Sequence, residues 1–289
     1  MKLQLGMLLA LALCLSLPAS AQYHLNNPNG LAFDSRGHLW VVNSGANQIL
    51  ELSPAVPIVL NTITQGINGP SRLFFDSSGT LWVANAGNDT VTAYDDLTTP
   101  GGRLVKTVSN SQIQRPLGLA VDDYGDVFVA NNSANDIIAL NIADRLIESL
   151  TVDKSGFEFT APGALAIHGQ NLYAGFGSTS SEDAVISYNL GEFLTGDPAE
   201  ITVFNDNVNT GPTGIAFDSA GNVYISEYYS GSWVKYAPSG GAPLLVVHSG
   251  VQGPEGIAVD QSGNVYVSNS SRNDITVYSP SGRLFLTMH

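Results

Sequence analysis

Short apolar runs alternate with turn-forming residues along almost the whole chain. Leu31-Ala32-Phe33 gives way to Asp34 and Gly37, then come Leu39-Trp40-Val41-Val42 and an apolar stretch around Ile49 and Leu52. The succession returns six times. Its copies open Pro28-Asn29-Gly30-Leu31-Ala32-Phe33-Asp34, Pro70-Ser71-Arg72-Leu73-Phe74-Phe75-Asp76, Pro116-Leu117-Gly118-Leu119-Ala120-Val121-Asp122, Pro162-Gly163-Ala164-Leu165-Ala166-Ile167-His168, Pro212-Thr213-Gly214-Ile215-Ala216-Phe217-Asp218 and Pro254-Glu255-Gly256-Ile257-Ala258-Val259-Asp260. Each passes through a turn to an aromatic: Trp40, Trp82, Phe128, Tyr173, Tyr224 and Tyr266. The opening prolines stand 42, 46, 46, 50 and 42 residues apart. Repeats of this length mark solenoids, propellers or arrays.

Such a unit holds four short strands and their turns. In the first copy the pattern predicts strand a at Leu31–Phe33, b at Leu39–Val42, c at Gln48–Leu52 and d at Val56–Ile63. Strand a is continuously apolar, as a strand covered on both faces should be. The Asp-x-x-Gly step in five copies is hairpin chemistry, because the Asp oxygen accepts backbone N–H bonds and Gly tolerates positive φ. Strands b and c carry β-branched and aromatic residues. No segment has a helical period. A lone four-stranded sheet cannot bury both faces, but six in a ring can, and the ring also hides strand edges. The expectation is an all-β protein: a six-bladed β-propeller of four-stranded antiparallel blades starting near residues 28, 70, 116, 162, 212 and 254. Strand a of each blade then lines a central channel. The chain enters at strand a of blade one and leaves at strand d of blade six, so packing between these blades closes the ring, unless residues 22–27 add an outer strand.

The consensus Pro-x-Gly-Ile/Leu-Ala-Phe/Val-Asp, Gly-x-Val-Tyr-Val-x-Asn, Asn-Asp-x-Ile-x-x-Tyr resembles the NHL repeat, most closely in copies six (Pro254 to Tyr278) and two (Pro70 to Tyr94). Propellers of this kind include protein-binding and RNA-binding modules, gluconolactonase-like metal lactonases and virginiamycin B (streptogramin) lyases. The resemblance therefore implies a fold more than a function. Copy four departs most, with His168 in place of Asp and Ala174-Gly175-Phe176 where other copies end in Asn.

Ahead of the repeats, Lys2 precedes an apolar run broken by Pro18 and followed by Ala19-Ser20-Ala21. This reads as a signal peptide over residues 1–21, cleaved before Gln22. The mature chain, 22–289, then loses Cys14 and with it the only cysteine, so it owes nothing to disulfides. It is expected to be secreted or periplasmic and monomeric, with no membrane span once the leader is gone. Ten basic against 25 acidic residues leave it at −15. That balance excludes a nucleic-acid groove, which needs clustered Lys and Arg.

Strands a and b are antiparallel, so the start of a and the end of b meet at one face near the axis. The residue after each Pro and the residue ending each strand b thus form two rings. Positions at which the blades differ are the stronger functional candidates. Asn29, Arg72, Glu227 and Glu255, with Asn43 and Asn269 from the strand-b asparagine that recurs in four blades, form a polar arc at one mouth, joined by the aromatics Tyr228 and Tyr229. Carboxylates and amides in an arc suit a hard cation such as Ca²⁺, and in gluconolactonase-like proteins Asn29 resembles a metal-ligand position. The bland readings are a solvated acidic rim without metal, turn residues for the strand-b asparagines, and interblade filling for Trp233. No Gly-x-Ser-x-Gly, His-Glu-x-x-His or phosphate loop occurs, and no catalytic residues are assigned. The first reading is a module binding a protein, peptide or carbohydrate at the channel mouth, without cofactor. The alternative is a metal-dependent lactonase or streptogramin-lyase-like enzyme.

Overall fold

Each of the six repeat prolines opens a strand. In the computed structural model strand a runs Pro28–Phe33, Pro70–Phe75, Pro116–Val121, Pro162–His168, Pro212–Phe217 and Pro254–Val259 in blades one to six. Proline suits a first strand position because it has no N–H for the ladder. The structure describes residues 23–55, 58–141, 143–151, 161–177, 183–196, 200–204 and 210–289. The leader proposed over 1–21 and the start of the expected strand d in blade one lie outside these.

Every blade is one antiparallel four-stranded sheet in the order a-b-c-d, and six such sheets make a six-bladed β-propeller. Among the described residues no strand is exchanged between blades. Two segments among them depart from the expected absence of helix, a 3-10 turn at Ser44–Ala46 and a one-turn helix at Leu190–Phe193 capped by the Asn189 side chain. Both are too short to leave a period in the sequence.

The Asp-x-x-Gly turns form as expected. Oδ1 of Asp34, Asp76, Asp122, Asp218 and Asp260 accepts the N–H two and four residues on, for example from Arg36 and His38. Gly37, Gly79, Gly125, Gly221 and Gly263 take the left-handed φ that closes the turn. Blade four, where His168 replaces the Asp, turns instead through Gly169-Gln170, pairing His168 with Asn171.

The core is interblade. Trp40, Leu73, Leu81 and Tyr94 fill the gap between blades one and two. Trp233, Tyr224, Val265 and Tyr278 fill that between five and six. Leu31, Val41, Tyr266 and Met288 join blade six back to blade one, with Leu25 and Tyr23 beside them. Among the described residues every apolar cluster spans two neighbouring blades, so a blade depends on its neighbours for stability.

A polar clasp repeats at the junctions. A side chain in the b–c loop of one blade accepts the N–H of the residue just before the next blade's proline. Asn47 takes it from Gly69 (2.7 Å), Asp89 from Arg115 (2.6 Å), Asn135 from Ala161 (2.9 Å) and Asp183 from Gly211 (2.9 Å). Asn273 of blade six takes it from Asn27 (2.7 Å), across the point where the chain closes on itself. At the remaining junction Gly231 stands in this place and offers no side chain. Asn273→Ala is expected to cost about 2 kcal/mol, one hydrogen bond's net worth plus the strain of alanine at a left-handed φ that Asn135 shares. Urea unfolding reads the change; a shift of the same size in Asn135→Ala would confirm that the closure junction is held like any internal one.

Candidate ligand-binding hub

In all six blades the pairing of strand a with strand b slips just after the proline. The following residue is the extra one of a β-bulge, left out of the ladder. Its carbonyl then needs a partner elsewhere. That of Asn29 is met by Ser268 Oγ of blade six (2.6 Å), and hydroxyls also reach the neighbouring prolines' carbonyls, Ser71 Oγ to Pro116 O (2.7 Å) and Thr213 Oγ1 to Pro254 O (2.8 Å).

Three bulge carbonyls, of Ser71, Thr213 and Glu255, converge on Arg72. Two residues after the proline four blades have Gly and blade four has Ala164, so only blade two sends a long side chain to the axis. The guanidinium crosses the channel. Nη1 donates to Asn29 Oδ1 in blade one and to Ser71 O (2.9 Å). Nη2 donates to Thr213 O in blade five and to Glu255 O in blade six (3.1 Å), and its distance to the Glu255 carboxylate is 3.7 Å. Arg72 thus ties blade two to blades one, five and six. Burial pushes the guanidinium down from its ordinary pKa, with Glu255 opposing. Burial likewise pushes the Glu255 carboxyl up, with Arg72 opposing.

The structure brings Asn29, Arg72 and Glu255 together and adds the carbonyl of Thr213. It places Asn43, Asn269 and Glu227 inside the blades instead of at the mouth. Asn43 and Asn269 are fully buried. Their Oδ1 atoms accept the N–H two residues before the blade's proline, from Asn26 (2.6 Å) and Gln252 (2.9 Å). Asn85 and Asn131 do the same with Asn68 and Gln114. The end of strand b is therefore pinned to the segment entering strand a. Glu227, 4% exposed, accepts from Ser230 Oγ (2.8 Å) and Ser232 Oγ (2.7 Å). Tyr228 and Tyr229 are exposed on the blade-five loop at the hub's face, their rings edge to face at 5.4 Å. Trp233 is wholly buried between blades five and six.

Two features escaped the sequence reading. One is the set of hydroxyl links between inner strands; Ser71 and Thr213 follow their prolines and so were visible, but nothing local gives their partners. The other is Asp34, His38 and Glu51 on the opposite face, close enough together for a metal. There Arg36 Nη2 already bridges Asp34 Oδ2 (2.7 Å) and Glu51 Oε1 (2.6 Å), and His38 Nδ1 lies 2.7 Å from the same Glu51 oxygen. A dication would have to displace that guanidinium.

On this opposite face Asp218 is the most perturbed acid. Burial raises its carboxyl, but donors from Asn222, Lys235 and Tyr224 outweigh that and bring the pKa from 3.8 to about 2. A depressed carboxylate contributes stability above its unfolded pKa and loses it as pH falls through the folded one. Melting temperature should therefore drop between pH 3.8 and about 2. Asp218→Asn should show a smaller drop over that interval; an unchanged slope would remove Asp218 as its source.

The ring and its bulged inner strands define a six-bladed β-propeller. The NHL repeat model matches residues 25–52 and 252–278, the two blades that meet at the closure, and blade two lies outside those matches. Those two segments are accordingly NHL repeats, in a chain folded as a six-bladed β-propeller. Comparison with curated protein sequences gives no match. Among solved structures it resembles virginiamycin B lyase from Staphylococcus aureus, at 14% identity over 91% of this chain and 86% of that one, with a TM-score of 0.64. It also resembles a chain of a nidogen/laminin complex (14% identity, 91% and 93%, TM-score 0.66) and of Kuenenia stuttgartiensis hydrazine synthase (14%, 92% and 99%, TM-score 0.64). At such identities these likenesses concern the fold alone. Among the described residues no helix is long and apolar enough to cross a membrane.

Proposed function

We propose that the protein is an exported binding module that takes a protein, peptide or carbohydrate chain on the face carrying the hub. The observation that carries this reading is the Tyr228–Tyr229 pair, exposed on that face beside a hub whose polar groups are engaged with one another. Tyrosines joining an apolar ring to a polar tip are favoured at recognition surfaces. Tyr229 lies over Gly211, where an added Cβ would fall 2.6 Å from its ring, so backbone supports the ring. Fold likeness to a nidogen chain is consistent with binding, and fold likeness to a lyase leaves chemistry open.

A lactonase or lyase with an axial metal is disfavoured by charge. A dication among Asn29, Glu255 and the bulge carbonyls would sit against the Arg72 guanidinium. At 4 Å and an effective dielectric near 20, each pair of like unit charges repels by about 4 kcal/mol.

One set of titrations separates the readings. Mature protein is applied to peptide and glycan arrays, and Ca²⁺, Mg²⁺ and Zn²⁺ are titrated calorimetrically. The expected result is an array ligand whose binding falls about tenfold or more in Tyr228→Ser/Tyr229→Ser, the loss of an aromatic anchor. Metal binding abolished by Glu255→Gln would overturn the proposal in favour of the enzyme, and array binding indifferent to the tyrosines would move the site elsewhere.

A further inference from the structure

Below the hub lies a cavity of about 260 Å³ that is independent of the outer face. Its wall includes four consecutive residues from each of Gly30–Phe33, Ala164–Ile167, Gly214–Phe217 and Gly256–Val259, and Arg72, Leu73 and Phe74 from blade two. Side chains alternate faces along a strand, so consecutive residues share one wall only if the backbone edge is that wall. This agrees with strand a being the terminal strand of every sheet, hydrogen-bonded to b on one side only. The alternate leucines and isoleucines (Leu31, Leu73, Leu165, Ile257) instead pack between blades. The cavity is therefore rimmed by open strand edges, which present N–H donors and C=O acceptors together.

Arg72 closes one end, and on it the Nε N–H is buried with no acceptor. The other end is bounded by Phe33, Ile167, Phe217 and Val259, near the turn face, where exposed His168 stacks on Phe217 at 4.6 Å. Arg72 seals the hub side, so entry is from the turn face.

We propose that this cavity is a binding site for a small uncharged polar molecule that carries both donors and acceptors, a polyol or simple amide, with one acceptor taking the Arg72 Nε proton. The size follows from volume. A 150 Å³ cavity holds benzene, so 260 Å³ holds about ten non-hydrogen atoms. Neutrality follows from charge. Arg72 is already paired with Glu255, so an added anion would be buried without a counter-charge, and an added cation would face the guanidinium. Polarity follows from the walls, because an apolar guest would leave strand edges and Nε without partners.

The test uses saturation-transfer NMR and calorimetry on the mature chain with myo-inositol, erythritol and N-acetylglycinamide, against benzoate and benzylammonium as charged probes of similar size. An uncharged probe is expected to bind and to lose at least about tenfold in Val259→Trp, which narrows the turn-face end without touching the hub. Arg72→Met adds a second readout on whatever folded protein it yields: affinity for the same probe falls. No binding by any uncharged probe, tighter binding of a charged one, or binding insensitive to Val259→Trp each overturns the assignment, and the first would leave the cavity to water. Loss of the tyrosine-dependent array signal bears only on the outer face, so the two failures are distinguishable.

Discussion

Arg72→Met is expected to destabilise the protein by about 3 kcal/mol or more, the usual result of removing one partner of a buried ion pair. The side chain is 13% exposed, and it is hydrogen-bonded to groups from blades one, two, five and six. Methionine fills much of the volume but leaves the carbonyls of Thr213 and Glu255 without this donor, and Glu255 without its counter-charge. The effect therefore exceeds that of cutting an ordinary surface pair, worth about 0–1 kcal/mol. Arg72→Lys should recover little, because one ammonium cannot span the channel with a planar fork. The pH dependence identifies the cause. A carboxyl raised on folding above its ordinary 4.5 stabilises the fold below that value and loses the contribution as pH rises through the folded pKa. Without Arg72 the Glu255 pKa rises further, so the variant should lose more stability than wild type on going from acid to neutral pH. Glu255→Gln in the same background should flatten that slope. Parallel stability–pH curves for wild type and Arg72→Met would remove the ion pair from the account.

Gly256→Ala is expected to cost about 2–3 kcal/mol by overpacking alone. An added Cβ would stand 2.3 Å from Asn29 O, 3.0 Å from Leu31 N and 3.1 Å from Gly30 Cα. All three belong to the backbone of the neighbouring inner strand, which cannot swing aside as a side chain can. Gly256 has no left-handed φ, so alanine brings no conformational strain and the loss reports contact only. Gly79→Ala is the contrast: φ is +84° and the space is open, so its cost, about 1 kcal/mol, is conformational. Since Gly256 and Asn29 are joined only by closure of the ring, a neutral Gly256→Ala in urea unfolding would mean that blades six and one do not meet in solution.

The same close approach explains why Arg72 reaches the axis. At Gly30, Gly118, Gly214 and Gly256 the inner strands pass so near one another that a Cβ meets backbone within about 3 Å. Four blades therefore leave the axis clear, and a fifth brings only the methyl of Ala164. Arg72 occupies the space the others forgo. The sequence displayed this substitution plainly. Its meaning, a donor fork for the bulge carbonyls of blades two, five and six, depends on a slip in pairing that no residue announces.

Strand ends separated the readable from the unreadable. The repeat located strand a of every blade, because proline, a short apolar run and an Asp-x-x-Gly turn are local signals with local causes. It put strand b of blade one at Leu39–Val42, and the strand continues one residue further, through Asn43. That residue mattered. Asn43, Asn269 and Glu227 were assigned to the mouth by their position at a strand end, but each turns inward, the asparagines to hold the N–H of the segment entering strand a. A terminal side chain has no neighbour beyond it in the ladder to fix its direction, so its orientation depends on the nearest unsatisfied donor.

The amino-acid order by itself determined the number of blades, their boundaries and the turns between inner strands, since each depends on interactions within a few residues or on a pattern repeated six times. Only the tertiary structure decided which polar residues share the axis, that Arg72 and Glu255 pair there, and that Asp34, Glu51 and Arg36 cluster on the far side. Those meetings join residues as many as 183 positions apart. They are set by ring closure and by bulge geometry, which are properties of all six sheets together and of no single stretch of chain.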